Sequence, residues 1–375
     1  MSAILFKPGY GSSAAMEDTA NGHSVQKNKS RLDWVDCAKG LCIILVVMLH
    51  STRGVTEAVE REGLIQYFVA FAKPFRMPDF FMISGLFLAK VINRDWLTYL
   101  DRKVIHFVYF YVLWVTINFA LKSPGLISSH GIFDTVMLYL QAFIQPLGTL
   151  WFIYLLPVFF VITKLLRKVQ PVIIFAIAAI LEVAVIETGW IVVDQTASRY
   201  IYFFTGYWLA PYIFNLAAVA QAKRRMALLG LVVWALINGS FVFAGYSEMP
   251  LVSLALGFIG AAAIVTIAAL ISTLKWANPV RYCGKNSIVI YLAFFLTMHT
   301  TQMILLSTGI IEQVSIMSGI VTAAGIIGPL VMWRLVRNTR LSFLFVRPAY
   351  FKLERSGAGA SAPDSHQMEV KVSPV

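Results

Sequence analysis

The chain has 375 residues, of which 58% are hydrophobic and only 13% charged, and its mean hydropathy is +0.73. A soluble core of this size has no use for so much apolar surface, so the composition points to a polytopic membrane protein. The net charge is +12 with no solvated basic domain to carry it, which fits loops on a cytoplasmic membrane face and gives no reason to expect a nucleic-acid partner.

In chain order, residues 1–30 are polar and lack signal-peptide architecture, so they read as a disordered cytoplasmic tail. The first apolar helix then serves as an uncleaved anchor. Apolar runs of about twenty residues follow near 33–52, 70–90, 103–121, 149–166, 170–187, 199–219, 226–245, 251–273, 284–307 and 313–334, about ten spans by the length rule. Segments 55–69 and 131–146 read as short helices lying at one surface. Pro157, Pro211 and Pro329 fall inside spans, where neighbouring helices can satisfy the freed carbonyls. Residues 341–375 form a second cytoplasmic tail, rich in Ser, Gly, Ala and Pro after Lys352 and expected to be largely disordered. The predicted architecture is all-α, with one membrane domain over residues 31–340.

Loop charge alternates along this series. One set of loops carries Lys27, Lys29 and Arg31, then Lys90, Arg94, Arg102 and Lys103, then Lys164, Arg167 and Lys168, then Lys223, Arg224 and Arg225, and later clusters of the same sign. The other set is acidic or mixed, with Glu57, Glu60, Glu62, Glu187, Asp194, Glu248 and Glu312. The positive-inside rule then puts both termini in the cytoplasm.

The first span begins with Asp36-Cys37-Ala38-Lys39-Gly40 and runs through hydrocarbon to His50. Lys39 and His50 are eleven residues apart, roughly 16 Å along a helix. A cation near the inner face and an imidazole well across the bilayer share one helix, and ionisable groups in a membrane mark function by default. The second span carries Arg76 and Asp79, spaced to pair at i, i+3. Asp79 is eleven residues from Lys90, as His50 is from Lys39, so the two are expected at matched depth. His50, Arg76 and Asp79 thus form a candidate polar cluster in the outer half of the membrane, against the plainer reading of a structural ion pair. On the inner side Lys39, Arg102, Lys103 and His106 could surround an anion, although Arg102 and Lys103 read first as topology-setting charge and Asp36 can neutralise Lys39. Trp151 suits an aromatic belt, and Arg199 at the outer face could meet a substrate or a lipid phosphate. Cys37, Cys42 and Cys283 have no CxxC spacing, so neither a disulfide framework nor a metal site is expected.

These residues resemble the membrane acyltransferase-3 family. Asp36-x-x-Lys39-Gly40 followed by His50 is similar to its first-helix motif. Phe75-Arg76-Met77-Pro78-x-Phe80-Phe81-x-x-Ser84-Gly85 is similar to its second. Leu150-Trp151-Phe152, Arg199-Tyr200 with Phe203-Phe204-x-Gly206, and Gly284-Lys285-Asn286-Ser287 with Ile290-Tyr291-Leu292 follow in order. The flavour is closest to the fucose 4-O-acetylase-like branch. Lys39 stands where the family commonly has Arg, Asp79 replaces an apolar residue, and Ala293 and Phe294 stand where many relatives place a His.

The resemblance implies a multi-pass protein of the bacterial inner membrane that moves an acyl group, usually acetyl, from cytoplasmic acyl-CoA to a sugar hydroxyl of an extracytoplasmic glycan. It implies no permanently bound cofactor, acyl-CoA as co-substrate, and glycan and membrane lipids as partners. His50 would be the general base, Arg76 an oxyanion stabiliser and Asp79 an orienting group. Asp36, Lys39, Ser84, Arg102, Lys103, Trp151 and Arg199 would contact donor or acceptor. The rival is a glycan or small-molecule transporter with His50 and Asp79 as a proton relay.

Overall fold

A computed structural model describes residues 13–146 and 148–353, with side-chain surroundings from residue 33 onward. Among these residues the regular structure is helical, with no strand, as expected where lipid cannot satisfy an open backbone. The helices are α1 (Ser13–Val59), α2 (Ile65–Gly85), a short α3 (Trp96–Leu100), α4 (His106–Gln141), α5 (Trp151–Leu165), α6 (Pro171–Val183), α7 (Ile191–Trp208), α8 (Ala210–Ala222), α9 (Arg224–Phe243), α10 (Pro250–Ile271), a short α11 (Asn278–Lys285), α12 (Ser287–Thr308) and α13 (Val314–Val336).

Seven of the helical segments are long and apolar enough to cross a membrane, or eight if α7 and α8 together make one bent span. The larger number expected from the sequence also counted α2 and α6. Neither qualifies on length and apolarity, because α2 carries Lys73, Arg76 and Asp79 and α6 has only 13 residues. Three local readings change. The expected surface helix at 55–69 is instead the end of α1 and the start of α2, joined by a turn with Glu60 at φ 54°. Segment 131–146 continues α4 as a second arm beyond a kink at Gly131, whose φ of 83° a side chain would resist. The span expected at 199–219 breaks at Leu209 into helices 74° apart, with Pro211 in the first turn of α8 where its missing N–H costs nothing.

Helix α1 is central and packs on α2, α10, α11, α12 and α13, while α2 also packs on α7 and α10. Helix α9 is peripheral. It buries only Trp234 and Asn238 and leaves Leu228, Leu229, Val232, Val233 and Leu236 exposed, an outer surface suited to lipid. Apolar surface gains nothing by leaving lipid, so close van der Waals approach must hold such helices together. The motif glycines provide it in two reciprocal pairs. A Cβ on Gly284 would meet the Asp36 carbonyl of α1 at 1.7 Å, and one on Gly40 would meet the Val280 carbonyl of α11 at 2.0 Å. At the crossing of α2 and α7, a Cβ on Gly85 would meet the Phe203 carbonyl at 2.2 Å, and one on Gly206 the Met82 carbonyl at 1.9 Å. These glycines permit backbone contact, and the two crossings set where the polar residues of α1, α2 and α7 meet.

At the lysine-rich end, the deeply buried Lys164 and Arg347 are satisfied. Lys164 Nζ donates to the carbonyls of Ile92 at 2.9 Å and Arg94 at 2.6 Å, and lies 4.2 Å from the Tyr99 ring centroid. Arg347 donates to the Asp101 carboxylate and carbonyl, each at 2.8 Å, and Leu353 N–H donates to the same carboxylate. Residues 340–353 therefore dock on α4, where Tyr109 and Trp114 donate to the carbonyls of Phe343 and Leu344. The packed chain thus runs past residue 340. Asp95 caps α3 by accepting from Thr98 N–H at 2.9 Å, which holds its carboxyl below the usual range. Of the expected tails, 1–30 and 341–375, residues 1–12 and 354–375 lie outside the described residues, and α1 begins at Ser13, within the first tail.

Candidate functional site

Two groupings of polar side chains lie along α1 and α2. The first lines a cleft with a cavity volume of about 140 Å³. Lys39 of α1 and Lys103, from the turn before α4, contribute its cations. Ser84 and Ser287 add hydroxyls, and Phe80, Phe87, Phe107, Phe152, Phe160 and Tyr291 form aromatic walls. Lys39 also pairs loosely with Asp36, at 4.0 Å. Lys103 Nζ lies 5.2 Å from the centroid of the Phe160 ring. Ser84 donates to the Phe80 carbonyl at 2.7 Å.

The wall leads toward His50. Tyr291 lines the cleft, and its hydroxyl donates to the Thr149 carbonyl. One turn on, Phe294 lies 6.2 Å from Tyr291 and 5.5 Å from the His50 ring, centroid to centroid. His50 is therefore separated from the cation-rimmed cleft by these two rings, both on α12. The side chain of His50 is half-buried, and Arg76 acts on it electrostatically.

The second grouping surrounds Arg76. This residue is 8% exposed, and its Nε and Nη1 are buried without a hydrogen-bond partner among the described residues. From the glycine crossing, α2 runs back nine residues to Arg76 and α7 runs back seven to Arg199, about two helical turns in each case. The two guanidiniums lie in each other's electrostatic field. Arg199 Nε is likewise buried and unpartnered. Behind Arg199, Glu182 of α6 is 6% exposed and accepts from Tyr202 and Ser253 hydroxyls, each at 3.4 Å, with its Oε2 left over.

The pair expected between Arg76 and Asp79 is not formed. Asp79 is fully buried, both its oxygens lack partners, and the ionisable neighbour in its field is Cys42 of α1. Cys42 precedes His50 by eight residues, about 12 Å along the helix. The matched-depth argument fails because Lys90 lies in a 3-10 turn beyond the end of α2 at Gly85, so a helical count from it misplaces Asp79. Arg76, one turn earlier on α2, is the member of the expected pair that acts electrostatically on His50.

Of the remaining expected residues, Lys39, Ser84 and Lys103 share the cleft. Arg102 is exposed and does not line it, and His106 packs against Phe107 and Phe110. Trp151 is half-buried and lies 6.0 Å from the Phe81 ring, centroid to centroid. Arg199 joins Arg76. Glu182 was missed, although a lone carboxylate in the apolar run of α6 is itself the signal. The aromatic walls were missed because phenylalanines in apolar spans read as core.

Residues 32–334 match the family model described as an acyltransferase domain, of the acyltransferase-3 type. The chain is also 25% identical over 246 residues to "Inner membrane protein YcfT" of Escherichia coli (strain K12), a match covering 59% of this chain and 68% of that protein. No solved structure matches the chain.

Proposed function

This chain belongs to the acyltransferase-3 family of membrane proteins, and from that premise we propose that it transfers a short acyl group, acetyl first among them, from cytoplasmic acyl-CoA to a hydroxyl of a glycan outside the inner membrane. Its lysine-rich end and both termini then face the cytoplasm. The observation that carries the reading is the cleft: cations at Lys39 and Lys103, aromatic walls, and a far wall only two rings from His50.

The chemistry follows from those groups. Phosphates of the donor head meet Lys39 and Lys103, and the acyl-bearing arm lies along the aromatic wall. The Lys39–His50 rise of roughly 16 Å brings the thioester toward the imidazole. Tyr291 and Phe294 turn aside for the thioester to meet the acceptor. His50 takes the proton of the acceptor hydroxyl as its oxygen bonds to the thioester carbonyl carbon. An N–H of Arg76 stabilises the resulting oxyanion. Collapse breaks the carbon–sulfur bond, and the proton on His50 passes to the departing thiolate, leaving the ester and free CoA thiol. Asp36 holds Lys39 at the donor end.

A transporter remains the second reading, because the 74° break between α7 and α8 is the kind of discontinuity transporters use. Its relay is less favoured, since Asp79 acts on Cys42 and is not among the groups that act on His50. Acetyl-CoA binding to the purified protein separates the two. Saturable binding that weakens about tenfold or more, ~1.4 kcal/mol, in the Lys39→Gln/Lys103→Gln double variant is expected. Absence of acetyl-CoA binding, with proton-driven glycan flux intact, would support the transporter.

A further inference from the structure

Among the described residues, neither arginine of the pair on α2 and α7 is closed by an ion pair. Arg76 and Arg199 repel one another, and three of their N–H-bearing atoms are buried without partners. Two carboxylates lie in the region. Glu182 lies in the electrostatic field of Arg199 and accepts from Tyr202 and Ser253 through one oxygen, but among the described residues no hydrogen bond or ion pair joins it to either guanidinium. Asp79 lies one turn from Arg76 on the same helix and leaves both its oxygens unbonded, so it does not serve Arg76. On α1, His50 contributes no negative charge, and Arg53 one turn beyond it is paired with Glu57 at 2.8 Å. A guanidinium withdrawn from water without an acceptor is costly, and two adjacent ones more so. Such an arrangement persists where an anion completes it.

We propose that Arg199, with Arg76 beside it, anchors an anionic substituent, a carboxylate or a phosphate ester, on the sugar that accepts the acyl group. The acceptor is thus an acidic glycan: a uronic acid or a phosphorylated sugar unit. This rests on the transferase reading and adds the substrate class. Arg199 does no chemistry on the reacting atoms. It fixes the register of the acceptor so that a hydroxyl of the same sugar unit faces His50, and the planar fork of a guanidinium suits either anion.

The test is equilibrium binding of three small sugars to the full-length protein in phosphatidylcholine nanodiscs: methyl glucuronoside, glucose 1-phosphate and neutral methyl glucoside. At least one anionic sugar is expected to bind at least about tenfold more tightly than the neutral one, and which one identifies the anion. Arg199→Gln should reduce that preference to under about twofold, and Arg199→Lys should retain part of it by keeping the charge without the fork. Should Arg199→Gln fail to fold, the wild-type comparison with Arg199→Lys still decides. Equal affinity for all three sugars overturns the proposal, as does a preference that survives in Arg199→Gln. Loss of the preference in phosphatidylglycerol nanodiscs overturns it too, because a net-anionic lipid head group would then be the occupant. Titrating acetyl-CoA into the same samples keeps the two readings apart. Failure of acetyl-CoA to bind removes the transferase reading on which the proposal stands. Intact acetyl-CoA binding with indifferent sugar binding removes only the acidic acceptor.

Discussion

The two ends of the helix bundle treat buried charge in opposite ways. At the lysine-rich end, Lys164 fills its bonds with two carbonyls, and Arg347 closes a two-point contact on Asp101. On α2 and α7, Arg76 and Arg199 hold buried N–H groups with no hydrogen-bond partner among the described residues, and Asp79 a carboxyl with none. Satisfied charges of the first kind staple segments together, here the 340–353 stretch to α4. Unsatisfied ones of the second kind destabilise the fold unless a ligand completes them, and they cluster where function is. The difference lies in partners, because Arg347 and Arg76 are about equally buried, at 9% and 8% exposed.

Substitution at each end can break this contrast. The largest stability effect is expected at Asp101→Ala, which strands Arg347 and the Leu353 N–H. Losing one member of a buried pair costs about 3–5 kcal/mol, read as a drop in the thermal unfolding midpoint in detergent. Arg76→Gln should do the reverse. The folded protein keeps or gains stability, while acyl transfer falls about 10²–10³-fold, the scale of one oxyanion donor. A stability loss at Arg76 matching that at Asp101 would erase the distinction. Gly284→Ala comes next. Its methyl would meet the Asp36 carbonyl at 1.7 Å, so α1 and α11 must part, at a cost of about 1–3 kcal/mol, again read by thermal unfolding. The smallest effect is expected from Asp79→Asn, with acyl transfer within about threefold of wild type, under ~0.7 kcal/mol in the barrier. Complete loss there would restore Asp79 to the site and favour the proton relay.

Much of this organisation was readable from the residues. Long apolar runs gave the helices, and the motif order gave His50, Arg76, Lys39 and Arg199. Asp79 was misplaced because depth was counted through Lys90 as though α2 continued, when the helix ends at Gly85. The break at Leu209 was hidden because Pro211 is tolerated in a membrane helix as readily as it starts a new one. The cleft was invisible because Phe80, Phe107 and Phe160 look alike in sequence whether they fill a core or line a wall. The glycines were noticed as motif members, but their role depends on which carbonyl lies opposite, and only the assembled helices show that.

The most direct measurement is transfer of labelled acetyl from acetyl-CoA to surface glycan in membranes carrying wild-type protein or His50→Ala at equal abundance. Wild-type membranes should acetylate the glycan and return it unlabelled after mild base, with His50→Ala membranes at background. Wild-type levels of labelling in the His50→Ala membranes would contradict the assignment of the imidazole and, with it, the path from the cleft to the acceptor.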